Sequence, residues 1–123
     1  MKTMLRIGET RGEISVVADQ IGNPTSALDI ADALLAIAAR PRADQDASLR
    51  GIFHMTGGGE ATWADFAEAI FKRAEERGRA PVRVNRITTA DYPTPARRLA
   101  NSRLDNSKLF KTYADRVKTR SSD

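Results

Sequence analysis

Cysteine is missing from all 123 residues. Its absence excludes disulfide stapling, thiolate metal sites and cysteine-based catalysis. With 41% hydrophobic residues the chain can still build a core without staples. This usage fits a cytoplasmic protein. Long apolar runs are also missing: the longest, residues 30–39, is broken by Asp32 and falls well short of a membrane span. The charged opening residues argue against a signal peptide. Histidine is represented by His54 alone. It stands in an apolar stretch, so a satisfied core histidine is expected rather than a ligand. No HxxxH or HxxE spacing is present to complete a metal site around it.

Catalytic signatures are equally sparse. No GxGxxG fingerprint opens a strand–helix unit. Gly57-Gly58-Gly59 precedes a helix start, where an anion can bind, but its spacing is wrong for that fingerprint. An ordinary strand-to-helix turn is the leading reading, with a dinucleotide site or a backbone contact to another ligand as alternatives. No GxSxG marks a nucleophile. Tyr92 is followed four residues later by Ala96 and Tyr113 by Val117, so neither tyrosine has the lysine that would prepare it as a proton donor on a helix.

What is present begins with charge. The formal net charge is +4, with 6 basic and 8 acidic residues in positions 1–60 against 14 and 8 in positions 61–123. A basic half suits a solvated surface, a phosphorylated small ligand or a nucleic acid. No zinc-finger, RNP-like or GxxG clamp pattern supports the last, so no nucleic-acid partner is expected.

Hydrophobic periodicity supplies the elements. Met4, Leu5 and Ile7 suggest the end of a helix stopped near Gly12. Residues 14–17 read as a short β-branched strand. Gly22-Asn23-Pro24 is a turn, and Ser26 or its rival Thr25 caps a helix running to about Ala39 and ended by Pro41. Ala27, Ile30, Leu34 and Ile37 share one face of that helix, and the wide stripe implies close packing. Residues 40–50 form a loop and residues 51–56 a buried strand. Thr62 and Asp65 signal the cap of a helix reaching about Arg77, with Trp63, Phe66, Ile70 and Ala74 on one face and Gly78 just past its end. Residues 82–87 alternate as a half-exposed strand. Pro93 and Pro95 keep the next stretch irregular. Asp105 caps a last helix containing Leu109, Phe110, Tyr113 and Val117, and a frayed polar tail follows. The order is that of an α/β protein with parallel crossovers.

Several stretches together resemble dTDP-4-dehydrorhamnose reductase, an extended short-chain dehydrogenase/reductase. They are Lys2-Thr3-Met4-Leu5, Val16-Val17-Ala18-Asp19-Gln20-Ile21-Gly22-Asn23-Pro24-Thr25-Ser26, Asp29-Ile30-Ala31-Asp32-Ala33, Gly51-Ile52-Phe53-His54-Met55-Thr56-Gly57, Thr62-Trp63-Ala64-Asp65-Phe66-Ala67, Ile70-Phe71, and Asp91-Tyr92-Pro93-Thr94-Pro95-Ala96-Arg97-Arg98-Leu99-Ala100-Asn101-Ser102-Arg103-Leu104-Asp105. Leu99 departs from the pattern, which usually has proline there.

The resemblance implies the C-terminal, substrate-binding portion of an α/β enzyme that reduces the C4 keto group of dTDP-4-dehydro-L-rhamnose with NAD(P)H. The Rossmann region with its glycine fingerprint and Tyr-x-x-x-Lys lies outside the matched part. The expected domain is residues 1–117, followed by a polar tail at 118–123. No cofactor is expected on this portion alone. The implied substrate contacts are the turn Gly22, Asn23, Pro24 and Thr25, the aromatic Trp63, and the segment carrying Tyr92, Arg97, Arg98, Asn101 and Arg103. Guanidinium forks suit a pyrophosphate. The implied partners are a dTDP-sugar and, through exposed apolar surface, a Rossmann portion or a second copy. The alternative is a non-enzymatic nucleotide-sugar-binding or interaction module.

Overall fold

A computed structural model describes residues 1–39 and 46–113. Pro41, Val117 and the tail at 118–123 lie outside the described residues. The chain divides into two compact units, one of Met1–Gly22 with Ala61–Ser102, the other of Asn23–Glu60 with Arg103–Asp123.

The first unit is built on a parallel strand pair. β1 (Glu13–Val17) lies beside β4 (Arg83–Ile87), in a register running from Glu13 opposite Arg83 to Val17 opposite Ile87. Parallel pairing needs a crossover, and helix α3 (Trp63–Glu76) provides it. Both ends of α3 are where the residues place them. The Thr62 hydroxyl accepts from the Asp65 amide and the Asp65 carboxylate accepts from the Thr62 amide, completing a capping box. At the other end Gly78 takes φ +84°. Its amide reaches the Glu75 carbonyl while that of Arg79 reaches Ala74, which is a Schellman motif. Ala64, Ala67 and Phe71 of α3 pack on Val16, with Met4, Ile14, Ala18, Val82 and Val84 around them. Met4 comes from α1 (Lys2–Thr10), which stops before Gly12 as the sequence suggests. A two-residue antiparallel ladder joins β2 (Ile21–Gly22) to β3 (Ala61–Thr62), with Gly22 opposite Ala61.

The second unit holds α2 (Ala27–Ala38) and α4 (Ser107–Thr112). The Ser26 hydroxyl caps α2 by accepting from the Leu28 amide. Ala33, Leu109 and Tyr113 form its centre, joined by Ile37, Leu49, Phe53, Met55 and Phe110. The Tyr113 and Phe53 rings meet edge to face, and the Tyr113 hydroxyl donates to the Leu49 carbonyl.

Three expectations need correction here. Residues 51–56 form no strand. The Asn106 side chain serves as the neighbour they lack, accepting from the Thr56 amide and donating to the Thr56 carbonyl, as a paired strand would. His54 is exposed, not a core residue, because burial along this extended stretch falls on Phe53, Met55 and Thr56. The apolar stripe of α2 is not closely packed: Ala33 alone is buried on that helix, while Leu28 is 72% and Leu35 70% exposed.

Gly57 is required by a close approach. A Cβ there would stand 2.2 Å from the Pro24 carbonyl oxygen, whereas one at Gly58 would meet nothing within 4 Å. Gly57→Ala should therefore destabilise the chain by about 1–3 kcal/mol through overpacking, and Gly58→Ala should change little. Urea unfolding of both variants checks this; equal midpoints would contradict the geometry.

Candidate functional site

In the first unit the arginine-bearing segment, residues 92–101, is irregular and exposed throughout. Two prolines fix φ at positions 93 and 95, and the Thr94 hydroxyl donates to the Ala96 carbonyl. A single 3₁₀ turn, Thr89–Asp91, leads into it. The Asp91 carboxylate accepts from the Thr88 amide and hydroxyl, and these bonds hold its pKa below the ordinary carboxylate value. The Thr89 hydroxyl and amide both donate to Asp19 and lower that carboxyl in the same way. The segment ends against β2: the Ile21 amide donates to the Ala100 carbonyl, the Ser102 amide donates to the Ile21 carbonyl, and Ile21 forms a parallel bridge with Asn101.

Backbone pairing thus brings three of the expected contacts together. Gly22 and Asn101 flank the Ile21 pairing, and Trp63 follows Thr62, the residue opposite Ile21. Gly22 faces Ser102, whose hydroxyl oxygen would lie 2.8 Å from an added Cβ. Trp63 is 51% exposed at the start of α3, and Tyr92 is 62% exposed. Arg97 and Arg98 are exposed and form no ion pair with any described residue. Two guanidinium forks, each a planar set of donors, thus stand without a charge partner among the described residues.

The helix that carries Trp63 is anchored by charge. Arg86 of β4 reaches Asp65 at 2.6 Å and Glu68 at 2.8 Å. The Arg86 hydrogen bond, then those from Thr62, pull the Asp65 carboxyl from 3.8 to about 2. Residues 82–87 read in sequence only as an alternating strand. Alternation puts Arg86 on the same face as Val82 and Val84, which pack with α3, and its distant partners leave no local signal.

In the second unit the remaining expected contacts serve the fold. The Asn23 side chain donates to the Gly59 carbonyl and accepts from the Leu104 amide. The Thr25 hydroxyl donates to the Asn23 carbonyl and accepts from the Gly57 amide. Pro24 presents its carbonyl to Gly57, and Arg103 pairs with Glu60 at 2.9 Å. Gly57-Gly58-Gly59 is thus a turn bonded to the Asn23–Thr25 turn.

The sequence contains no glycine fingerprint and no Tyr-x-x-x-Lys. Among the described residues no cluster of three or more His, Asp or Glu side chains could hold a metal ion, and no helix is long and apolar enough to cross a membrane.

A family model for the RmlD substrate binding domain matches residues 1–121. The dTDP-4-dehydrorhamnose reductase of Sinorhizobium fredii is 50% identical over 117 residues, which are 95% of this chain and 40% of that protein. Among solved structures, a dTDP-4-dehydrorhamnose reductase from Clostridium acetobutylicum superposes with a TM-score of 0.80 at 37% identity, over 98% of this chain and 38% of its own. That of Bacillus anthracis, solved in complex with NADP, superposes with a TM-score of 0.78 at 30% identity, again over 98% and 38%. The chain spans about two fifths of the length of these relatives.

The depressed Asp65 carboxyl gives a directional test. Its contribution to stability is complete above 3.8 and is lost as pH falls through about 2. Asp65→Asn should lower the urea midpoint at neutral pH by a small amount, as befits an exposed pair. The gap between the two proteins should close on acidification across that window. A gap independent of pH would refute the assignment.

Proposed function

The chain belongs to the RmlD substrate binding domain family, and on that footing we propose that it is the nucleotide-sugar-binding portion of a dTDP-4-dehydrorhamnose reductase. The supporting observation is the exposed segment 92–101, whose Arg97 and Arg98 pair with no described residue. The doubly charged pyrophosphate of a dTDP-sugar matches two guanidinium forks in charge and geometry. Trp63 and Tyr92 offer exposed flat apolar surface to the base or sugar, and Asn101, bridged to Ile21, offers a hydrogen-bonding group. Gly22 lets the backbone run close to Ser102 at the edge of this surface. Asn23, Thr25 and Arg103 have their polar groups engaged within their own unit, so the reading rests on the first unit.

In the complete reaction the C4 keto group of dTDP-4-dehydro-L-rhamnose is reduced by NAD(P)H. These residues bind and orient the nucleotide sugar. The nicotinamide supplies hydride when bound, and its binding groups and the proton donor must come from elsewhere, because no fingerprint or Tyr-x-x-x-Lys is present in this sequence. A cytoplasmic setting suits such a reaction.

The exposed face of α2 supports the partner half of the proposal. Leu28 and Leu35 lie seven residues apart, two helical turns on one side, with Leu34 beside them at 60% exposure. Apolar surface of this kind marks an interaction site. The partner proposed is the nucleotide-binding portion that makes up the rest of the relatives' length, in the same polypeptide or in a separate one.

Two outcomes are expected. Titration with dTDP, followed by calorimetry and by quenching of the sole tryptophan, should saturate. Arg97→Ala and Arg98→Ala should each weaken binding about tenfold, the loss of one charge-assisted contact. No heat and no quenching at millimolar dTDP would defeat the binding proposal. Separately, the chain alone should self-associate with rising concentration in sedimentation velocity, and Leu28→Lys with Leu35→Lys should abolish this. A wild-type chain that stays monomeric would count against the docking face.

A further inference from the structure

The segment 92–101 is tied at both ends to one three-residue stretch. At its entrance, Thr89 donates its amide and hydroxyl to Asp19, and Gln20 Nε2 donates to the Thr89 hydroxyl at 3.1 Å. At its exit, the Ile21 amide donates to Ala100 and the Ile21 carbonyl accepts from Ser102, both bonds being 2.8–2.9 Å. Asp19 and Ile21 are two residues apart, so the anchor points are separated by about 7 Å of extended chain. Irregular segments of this length with ends so close have the outline of Ω-loops. Pro93, Pro95 and the Thr94–Ala96 bond then restrict what remains.

We infer that residues 19–21 form a frame that sets the arginine loop in its binding shape before a ligand arrives, with Asp19 as the positioning residue. The inference rests on the nucleotide-sugar reading given above for what the loop binds, though not for how it is held. An exposed loop bearing two arginines without ion partners among the described residues has no charge pairing there to order it, and the arginines repel one another. Order has to be imposed at the ends. Asp19 is suited to this because it engages both donors of Thr89 at the entrance. Removing the Asp19 carboxylate leaves the Gln20 bond and the Ile21 contacts, and the ligand must then supply the missing order at the expense of affinity.

The test combines two measurements on the full chain. Trypsin cuts after Arg97 and Arg98, so cleavage there, followed by mass spectrometry, reports local opening without any ligand. Asp19→Ala and Thr89→Val should raise cleavage at these sites by about tenfold, with little change in the urea midpoint, while Thr89→Ser, which keeps the hydroxyl, should behave as wild type. The same two variants should weaken dTDP binding by about fivefold. Unchanged cleavage in Asp19→Ala overturns the frame whatever the binding result. Faster cleavage with unchanged dTDP affinity overturns the positioning role. A wild-type chain that is protected from trypsin but binds no dTDP defeats the ligand reading and, with it, the positioning role.

Discussion

One carboxylate joins the start of α3 to both of its neighbours in the first unit. Asp65 accepts from the amide of Thr62 and from the guanidinium of Arg86. Through the first bond it fixes where α3 begins, and through the second it ties that beginning to β4. Because Thr62 also pairs with Ile21, the same group sets the place of β2. Gly22, Trp63 and Asn101 all depend on that small junction for their positions. A single hydrogen-bonded charge therefore links the parallel strand pair, which is scaffold, to the surface proposed to meet a ligand.

The second unit reaches order by a different route. Its backbone has few regular ladders to satisfy it, and two asparagines stand in for them. Asn106 completes the hydrogen bonding of Thr56, and Asn23 joins the Gly59 carbonyl to the Leu104 amide. An asparagine side chain carries the same donor and acceptor as a peptide unit, so it can act as a one-residue strand. Buried backbone groups must find partners, and at Thr56 a side chain provides them at no great expense in chain length.

How far the sequence reveals this architecture depends on the range of the forces involved. The limits of α3 were legible because capping by Thr62 and Asp65 and termination at Gly78 are local events. β1 and β4 were legible from β-branched content and alternation. Residues 51–56 were misassigned because their apolar content looks like a strand, while the group that replaces a neighbouring strand lies at position 106. The stripe on α2 implies close packing, but among the described residues only Ala33 of that helix is buried. For the site, the turn at Gly22–Thr25 and the double-proline segment were visible as features. Which of their polar atoms are already bonded was not visible, since Asn23 and Thr25 find partners more than thirty residues away. The clamp of Asp19 on Thr89, seventy positions apart, carries no local pattern either.

The cores of the two units are thin. Among the described residues three of the eight buried apolar side chains are alanines, and Leu109 is the one large side chain with almost no exposure. Heat-capacity change on unfolding scales with newly hydrated apolar area. A chain that buries so little should show a shallow calorimetric baseline step and a flat dependence of stability on temperature. Covering the α2 face with a partner would add apolar burial to that small increment, so association would sharpen the thermal transition as well as raise it.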